Sequence, residues 1–269
     1  MAEFRIRSDI LMRFLKRFSG MDDLIIKVDA GPDGYGDEND HHIDAAGTLD
    51  RAFYISQWTA AEVVTAGTIS VGQVGTLTAL LKSMSGSTNE VTIESTEDTI
   101  TVSDGATHFT LPTATSVASA AGTAQVAGMV HNAGESDWSK FGSGEFDFHL
   151  TFPAETFRTL TKVGSPIING ATLGVFVTKD GEFTYAVHRD STRVETVLES
   201  SGYTPKNSPD EPTVVWFGKW LLDALKAMPG SGVIHVHGGN DCPLVIRHSG
   251  DNQGVVVVIA PRNEAGDEV

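Results

Sequence analysis

Polar and apolar residues alternate through residues 3–7, which predicts a strand. Beyond it Ile10, Leu11, Phe14, Leu15 and Phe18 recur at intervals of three and four. That spacing predicts a helix over 9–18 with Ser8 as its N-cap, ended by Gly20. Arg13, Lys16 and Arg17 fall on its opposite side. Strand patterns follow at 23–30, 42–49, 51–56 and 67–71, with an acidic, turn-rich loop at 31–40. A second helical pattern covers 73–84, and three short strands are predicted at 89–95, 98–103 and 107–112. Periodicity is then lost. Residues 113–144 are rich in Ala, Ser, Thr and Gly, a composition that suits a linker, with Val126 and Met129 as bulky apolar points.

The pattern restarts at 145–152 with a strand and continues with a helix over 153–163, Pro153 fitting its first turn. Segments 171–177 and 182–188 predict a hairpin around Lys179-Asp180-Gly181. A strand at 193–199, a loop at 205–212 and a strand at 213–217 lead to a helix at 218–228, stopped by Pro229-Gly230. Three strands close the chain. Both halves therefore read strand, helix, strands, helix, three strands. The phrases LTALLKSM (77–84) and LLDALKAM (221–228) match at Leu77/Leu221, Leu81/Leu225, Lys82/Lys226 and Met84/Met228. An internal duplication with two helices per half accounts for this order.

Charge sharpens the picture. The 269-residue chain carries a net charge of −16, which argues against a generally nucleic-acid-binding surface. The four helical spans (9–18, 72–84, 153–163, 217–228) have the opposite sign. They hold eight basic residues, Arg13, Lys16, Arg17, Lys82, Arg158, Lys162, Lys219 and Lys226, against three acidic ones, Asp9, Glu155 and Asp223. Arg158 and Lys162, four apart, share a helix face, as do Lys219 and Lys226, seven apart. Screening over roughly 8 Å at physiological salt lets a basic face act locally in an acidic protein. Amphipathic helices also put Lys and Arg on their wet side as a matter of course, and only the consistency over four helices favours a shared basic surface.

Other chemistry is thin. A single cysteine, Cys242, excludes an internal disulfide. His235 and His237 share a strand face near Cys242 and His248, but no standard Cys/His spacing is met, so no metal is expected. Asp29, Asp33, Asp37 and Asp40 lack calcium-loop spacing. GxxxxGK[ST], GxSxG and HExxH are missing, and no catalytic residue or cofactor is expected. The N-terminus, with Glu3 and Asp9 and no continuous apolar stretch, does not read as a signal peptide, so an intracellular location, cytoplasmic or nuclear, is expected. The basic helix 9–18 could instead lie on a membrane, a reading opposed by Asp9 and the immediate return to a strand.

Several stretches resemble DNA sliding clamps of the proliferating-cell-nuclear-antigen (PCNA) type. LLDALKAM, NDCPLVIRH and GVVVVIAPR resemble that family's last helix, the start of its "PL" strand and its closing strand. GEFDFHLTFPAETFRTLTKV resembles the start of its second domain, GVFVTKDGEFTYAV its Lys-Asp-Gly hairpin, and HHID (41–44) a strand start beside its partner pocket. The resemblance implies an α+β chain of two similar domains of the DNA-clamp fold, with helices lining a central channel and antiparallel sheets outside. The domains would be 1–112 and 145–262, joined by an interdomain linker at 113–144, with an acidic tail at 263–269. It also implies a homotrimeric ring that encircles double-stranded DNA without sequence preference and tethers a DNA polymerase, loaded by a clamp-loader ATPase. The eight basic helix residues would face DNA. Thr107, Phe109 and Leu111 of one subunit would pair with Val194, Thr196 and Leu198 of the next. Short hydrophobic or aromatic peptides would enter a pocket near Ile43, Pro243, Leu244, Val258, Ala260 and Pro261, with Val126 or Met129 as a lid. A monomeric polymerase accessory protein of the same fold, with an open basic face, is the alternative; an unrelated enzyme on a duplicated α+β fold is a third reading.

Overall fold

A computed structural model of the chain describes residues 1–18, 20–21, 24–29, 41–49, 53–84, 89–114, 120–177, 182–205, 213–239, 242–250 and 252–261. The 31–40 loop, the Lys179-Asp180-Gly181 turn, residues 206–212 and the acidic tail lie outside the described residues. The chain divides into two compact units, the first made of 1–49, 55–125 and 251–254, the second of the remainder.

The first eleven elements are β1 (Ala2–Arg7), α1 (Ser8–Lys16), β2 (Leu24–Asp29), β3 (His42–Leu49), β4 (Phe53–Ala60), β5 (Glu62–Thr65), β6 (Gly67–Val71), α2 (Val74–Ser83), β7 (Glu90–Ser95), β8 (Thr99–Ser103) and β9 (His108–Pro112). Then come α3 (Ala120–Glu135) and a minimal hairpin of β10 (Lys140–Phe141) and β11 (Gly144–Glu145). Eleven more repeat the first order: β12 (Phe148–Pro153), α4 (Ala154–Thr159), β13 (Thr172–Val177), β14 (Glu182–Arg189), β15 (Thr192–Glu199), β16 (Gly202–Pro205), β17 (Thr213–Phe217), α5 (Trp220–Ala227), β18 (Val233–Gly239), β19 (Cys242–Gly250) and β20 (Gln253–Ile259). A 3-10 turn, Leu160–Lys162, extends α4.

Pairing repeats as faithfully as order. The first unit forms β5-β1-β7-β8-β9 and the second β16-β12-β18-β19-β20, so each opening strand lies beside the strand that follows its second helix. The other layer runs β4-β3-β2-β6 in the first unit and β15-β14-β13-β17 in the second. Neighbours are antiparallel, for example Phe4 opposite Ile93 and Leu150 opposite Val236. Alternation explains the faces. On β1, Phe4 and Ile6 are buried while Glu3 and Arg5 are not.

Helix α1 packs on β1, and α4 packs on β12 and β18. In α1, Leu11, Phe14 and Leu15 are buried, and Phe18 just beyond it packs on Phe14 with ring centroids 5.9 Å apart. In the second unit Phe152, Phe157 and Phe183 form an aromatic cluster with centroids 5.2–6.1 Å apart. Each such ring contact adds to the burial of the rings. Ser8 is not the cap of α1. The boundary residue is Arg7, in extended conformation, and Ser8 is buried inside the helix with its N–H donating to the Asn89 carbonyl at 2.9 Å. Asn89, the residue just before β7, therefore satisfies an N-terminal donor that a capping side chain would otherwise take. Pro153 likewise ends β12 and stands before α4 instead of inside its first turn.

The largest difference from the sequence pattern lies in 113–144. Sixteen of those residues form α3, with Val130 and Ala133 buried. Alanine has the strongest intrinsic helix propensity, and a helix of small residues shows little amphipathic periodicity. Trp138, just beyond α3, is also buried. Strands β5 and β16 went unseen in the sequence because each is only four residues long. Among the described residues no helix is long and apolar enough to cross a membrane.

Candidate nucleic-acid interface

Each unit sets its two helices side by side: α1 packs against α2, and α5 packs against α4 and its 3-10 turn. Burying one apolar face leaves the other face of each helix to solvent, and the basic residues fall there. Arg13 and Lys16 on α1 and Lys82 on α2 are exposed. So are Arg158, Lys162, Lys219 and Lys226 in the second unit. Three of the predicted basic residues are thus exposed on the helix pair of the first unit and four on that of the second.

Arg17 differs from the others. It is half-buried, and its Nη1 donates to Gln57 Oε1 at 2.7 Å. Gln57 is buried and its Nε2 donates to the Phe14 carbonyl. Burial, then neighbouring Arg13, lowers the Arg17 pKa to about 10. The guanidinium stays charged at neutral pH, but its geometry serves the end of α1.

Several cations are held in place. Arg158 lies across Gly230, where a Cβ would come within 2.7 Å of its Nη1. The Lys219 ammonium sits 4.3 Å from the Trp220 ring centroid, and Trp220 stacks on Phe53 at 5.8 Å. A cation over an indole is fixed without losing its charge. Lys226 lies 3.9 Å from Asp223. Burial raises the Asp223 carboxyl pKa, and Lys226 and Lys219 oppose that rise. Arg7, absent from the sequence-derived set, joins the α1 group by reaching Asp9 from the last position of β1. A helix-only tally cannot find it, because it belongs to a strand.

The predicted interface strands end their sheets. Among the described strands β9 is last in its five-stranded order and β15 last in its four-stranded order. Thr107 is exposed in the turn before β9, Phe109 is half-buried and Leu111 is buried against β8. Val194, Thr196 and Leu198 are half-buried on β15, while Val197, on its opposite face, is 55% exposed.

The predicted peptide pocket splits into core and surface. Ile43, Leu244 and Val258 are 0%, 2% and 6% exposed, so they fill their units' cores. Leu244 packs with Phe148, Val175, Val215, Phe217 and Cys242, with no space left between them for a water molecule. Pro243, Ala260, Pro261, Val126 and Met129 are half-buried. A partner could touch those five without rearranging a core.

The histidines of the second unit form a cluster that sequence spacing only hinted at. His149 Nε2 and His235 Nδ1 are 3.0 Å apart, and His149 stacks on His237 at 4.3 Å. Arg247 Nε donates to His237 Nε2 at 3.1 Å, which requires that nitrogen to be unprotonated. Burial, then Arg247, His149 and His248, lowers the His235 pKa to about 4. Among the described residues no group of three His, Cys, Asp or Glu is placed to hold a metal.

No family model matches the sequence, and no curated protein matches it. Solved structures do match. The A. fulgidus PCNA structure with the C-terminal region of FEN-1 bound aligns with a TM-score of 0.69 at 13% identity, over 98% of this chain and 99% of that one. The Thermococcus kodakaraensis PCNA structure aligns with a TM-score of 0.68 at 14% identity, over 97% of this chain and 100% of that one. The chain has a PCNA-like clamp fold, α+β with antiparallel sheets.

Proposed function

We propose that this protein is a DNA sliding clamp, a polymerase processivity factor with no catalytic role of its own. Its two domains are 1–112 and 145–262, the segment between them carrying α3. Three copies close into a ring around duplex DNA. The observation that carries this reading is the repetition of one eleven-element unit whose paired helices expose basic residues in both copies, inside a chain of net charge −16.

The physics suits sliding. Phosphate contacts position a protein without reading sequence. Long Lys and Arg side chains on a helix surface therefore hold DNA loosely at every register, and a closed ring supplies retention by topology. An acidic exterior repels DNA everywhere else. The partner of A. fulgidus PCNA in the matching structure is the C-terminal region of another protein. A peptide terminus of that kind would meet Pro243, Ala260 and Pro261 here, with Val126 or Met129 of α3 above them. A polymerase and a clamp-loader ATPase are the expected partners.

Solution mass tests the ring. The clamp should run at about three times 28.6 kDa. A monomer at micromolar concentration would favour an accessory protein with an open basic face. Replacing Arg158, Lys162, Lys219 and Lys226 together by Ala should abolish polymerase stimulation at unchanged mass. Undiminished stimulation would remove the DNA-facing role.

A further inference from the structure

Two arginines converge on one carboxylate at the start of α1. Arg7 donates from Nε to Asp9 Oδ1 at 3.0 Å and from Nη2 to Oδ2 at 3.2 Å. Arg13, one turn along, donates from Nη2 to the same Oδ2 at 3.1 Å and from Nε to the Asp9 carbonyl at 3.3 Å. The side chains of Arg7 and Arg13 are 55% and 69% exposed, and that of Asp9 is 26% exposed. The guanidiniums thus keep open faces toward water while one acidic group holds them together. Lys16, three residues beyond Arg13, is exposed on the same helix.

We propose that Arg7 and Arg13 form a seat for a single backbone phosphate of duplex DNA, and that Asp9 occupies it when DNA is absent. This rests on the DNA-facing reading of the helices. A phosphodiester resembles the carboxylate in the relevant respects: one negative charge, two free oxygens, and a fit to the fork of a guanidinium. A phosphate that takes the carboxylate's place restores the same forked contacts to both guanidiniums, so the exchange costs little. Asp9 does two things. It gathers two flexible side chains into one place before DNA arrives, and it competes with the phosphate afterwards. The competition keeps each contact short-lived, as a protein that moves along DNA requires.

The test is binding of the full-length protein to a linear duplex at low salt, for wild type, Asp9→Asn, Arg7→Ala, Arg13→Ala and Lys16→Ala. Glu94→Gln, which neutralises an exposed acid on β7, serves as the control for total charge. Asp9→Asn should bind about threefold to fivefold tighter than both wild type and Glu94→Gln, the gain fading as salt rises. Arg7→Ala and Arg13→Ala should each weaken binding and flatten the log–log salt dependence by about 0.9. Asp9→Asn binding no tighter than Glu94→Gln overturns the seat. If Arg13→Ala and Lys16→Ala still weaken binding in that case, the DNA-facing reading survives; if neither does, both fall. In wild-type protein the Nε–H resonances of Arg7 and Arg13 should shift together on adding duplex, and their staying fixed would overturn the seat independently of any variant.

Discussion

At the scale of single residues, the same side-chain type does different work a few ångströms apart. Lys16 and Arg17 are adjacent in sequence, yet Lys16 is exposed and Arg17 is half-buried against Gln57. Arg17→Ala should therefore cost about 1.5–3 kcal/mol of stability, the value of a hydrogen bond to a charged group, read as a lower urea midpoint. Lys16→Ala should leave that midpoint in place and reduce polymerase stimulation instead. His235 gives a second residue-scale prediction, in pH. Its pKa falls to about 4 in the folded protein, from an ordinary 6.5, because burial and Arg247 disfavour the charged ring. The unfolded chain therefore binds more protons across that window. Stability should be intact near pH 7 and fall as pH drops from about 6.5 toward 4. Thermal midpoints measured over that range should decline less steeply in His235→Asn, and an unchanged slope would show that the cluster does not govern acid sensitivity.

At the scale of elements, legibility followed amphipathic contrast. Helix α1 announced itself because Leu11, Phe14 and Leu15 alternate with charged residues, and β18 to β20 because Val and Ile crowd short segments. Helix α3 has no such contrast. Most of its residues are small, and the bulky side chain that secures its end, Trp138, stands outside it. Trp138 takes a left-handed backbone conformation, φ 55°, directly after Asp137 at φ 53°. Bulky residues adopt that region only when their surroundings compel it. Here the indole stacks on His237 at 5.7 Å and the Arg247 guanidinium lies 4.8 Å from its centroid. None of these partners is near Trp138 in sequence, so no local pattern could reveal them. Helical spacing anticipated that Arg13, Lys16, Lys82, Arg158, Lys162, Lys219 and Lys226 are exposed, but it could not single out the half-buried Arg17 or find Arg7, and it cannot separate the buried Ile43 from the half-buried Pro261. Trp138→Ala should cost up to about 3–5 kcal/mol. Hydrogen exchange should show protection lost first across 120–145, with β13 and β14 unaffected. Uniform loss over the second unit would mean that Trp138 supports the core instead of anchoring α3.

At the scale of the whole molecule, the prediction concerns how copies join. A contact between β9 of one copy and β15 of the next is head-to-tail, with a different surface on each side. Unpaired edge strands invite that kind of association. Phe109→Asp damages only the β9 side and Thr196→Asp only the β15 side, each at a half-buried position. Either variant alone should fall from about three times 28.6 kDa to a single copy while keeping its circular dichroism. Mixing the two is more informative. The Phe109→Asp chain still has a sound β15 edge, and the Thr196→Asp chain a sound β9 edge. One good contact can form between them and no second one can, so the mixture should stop at two copies. A symmetric β15-to-β15 dimer would behave differently, surviving Phe109→Asp untouched and gaining nothing from mixing. A species of two copies in the mixture, with none in either variant alone, fits only an interface that has two distinct sides, the kind that closes into a ring when each copy turns the next by the same angle.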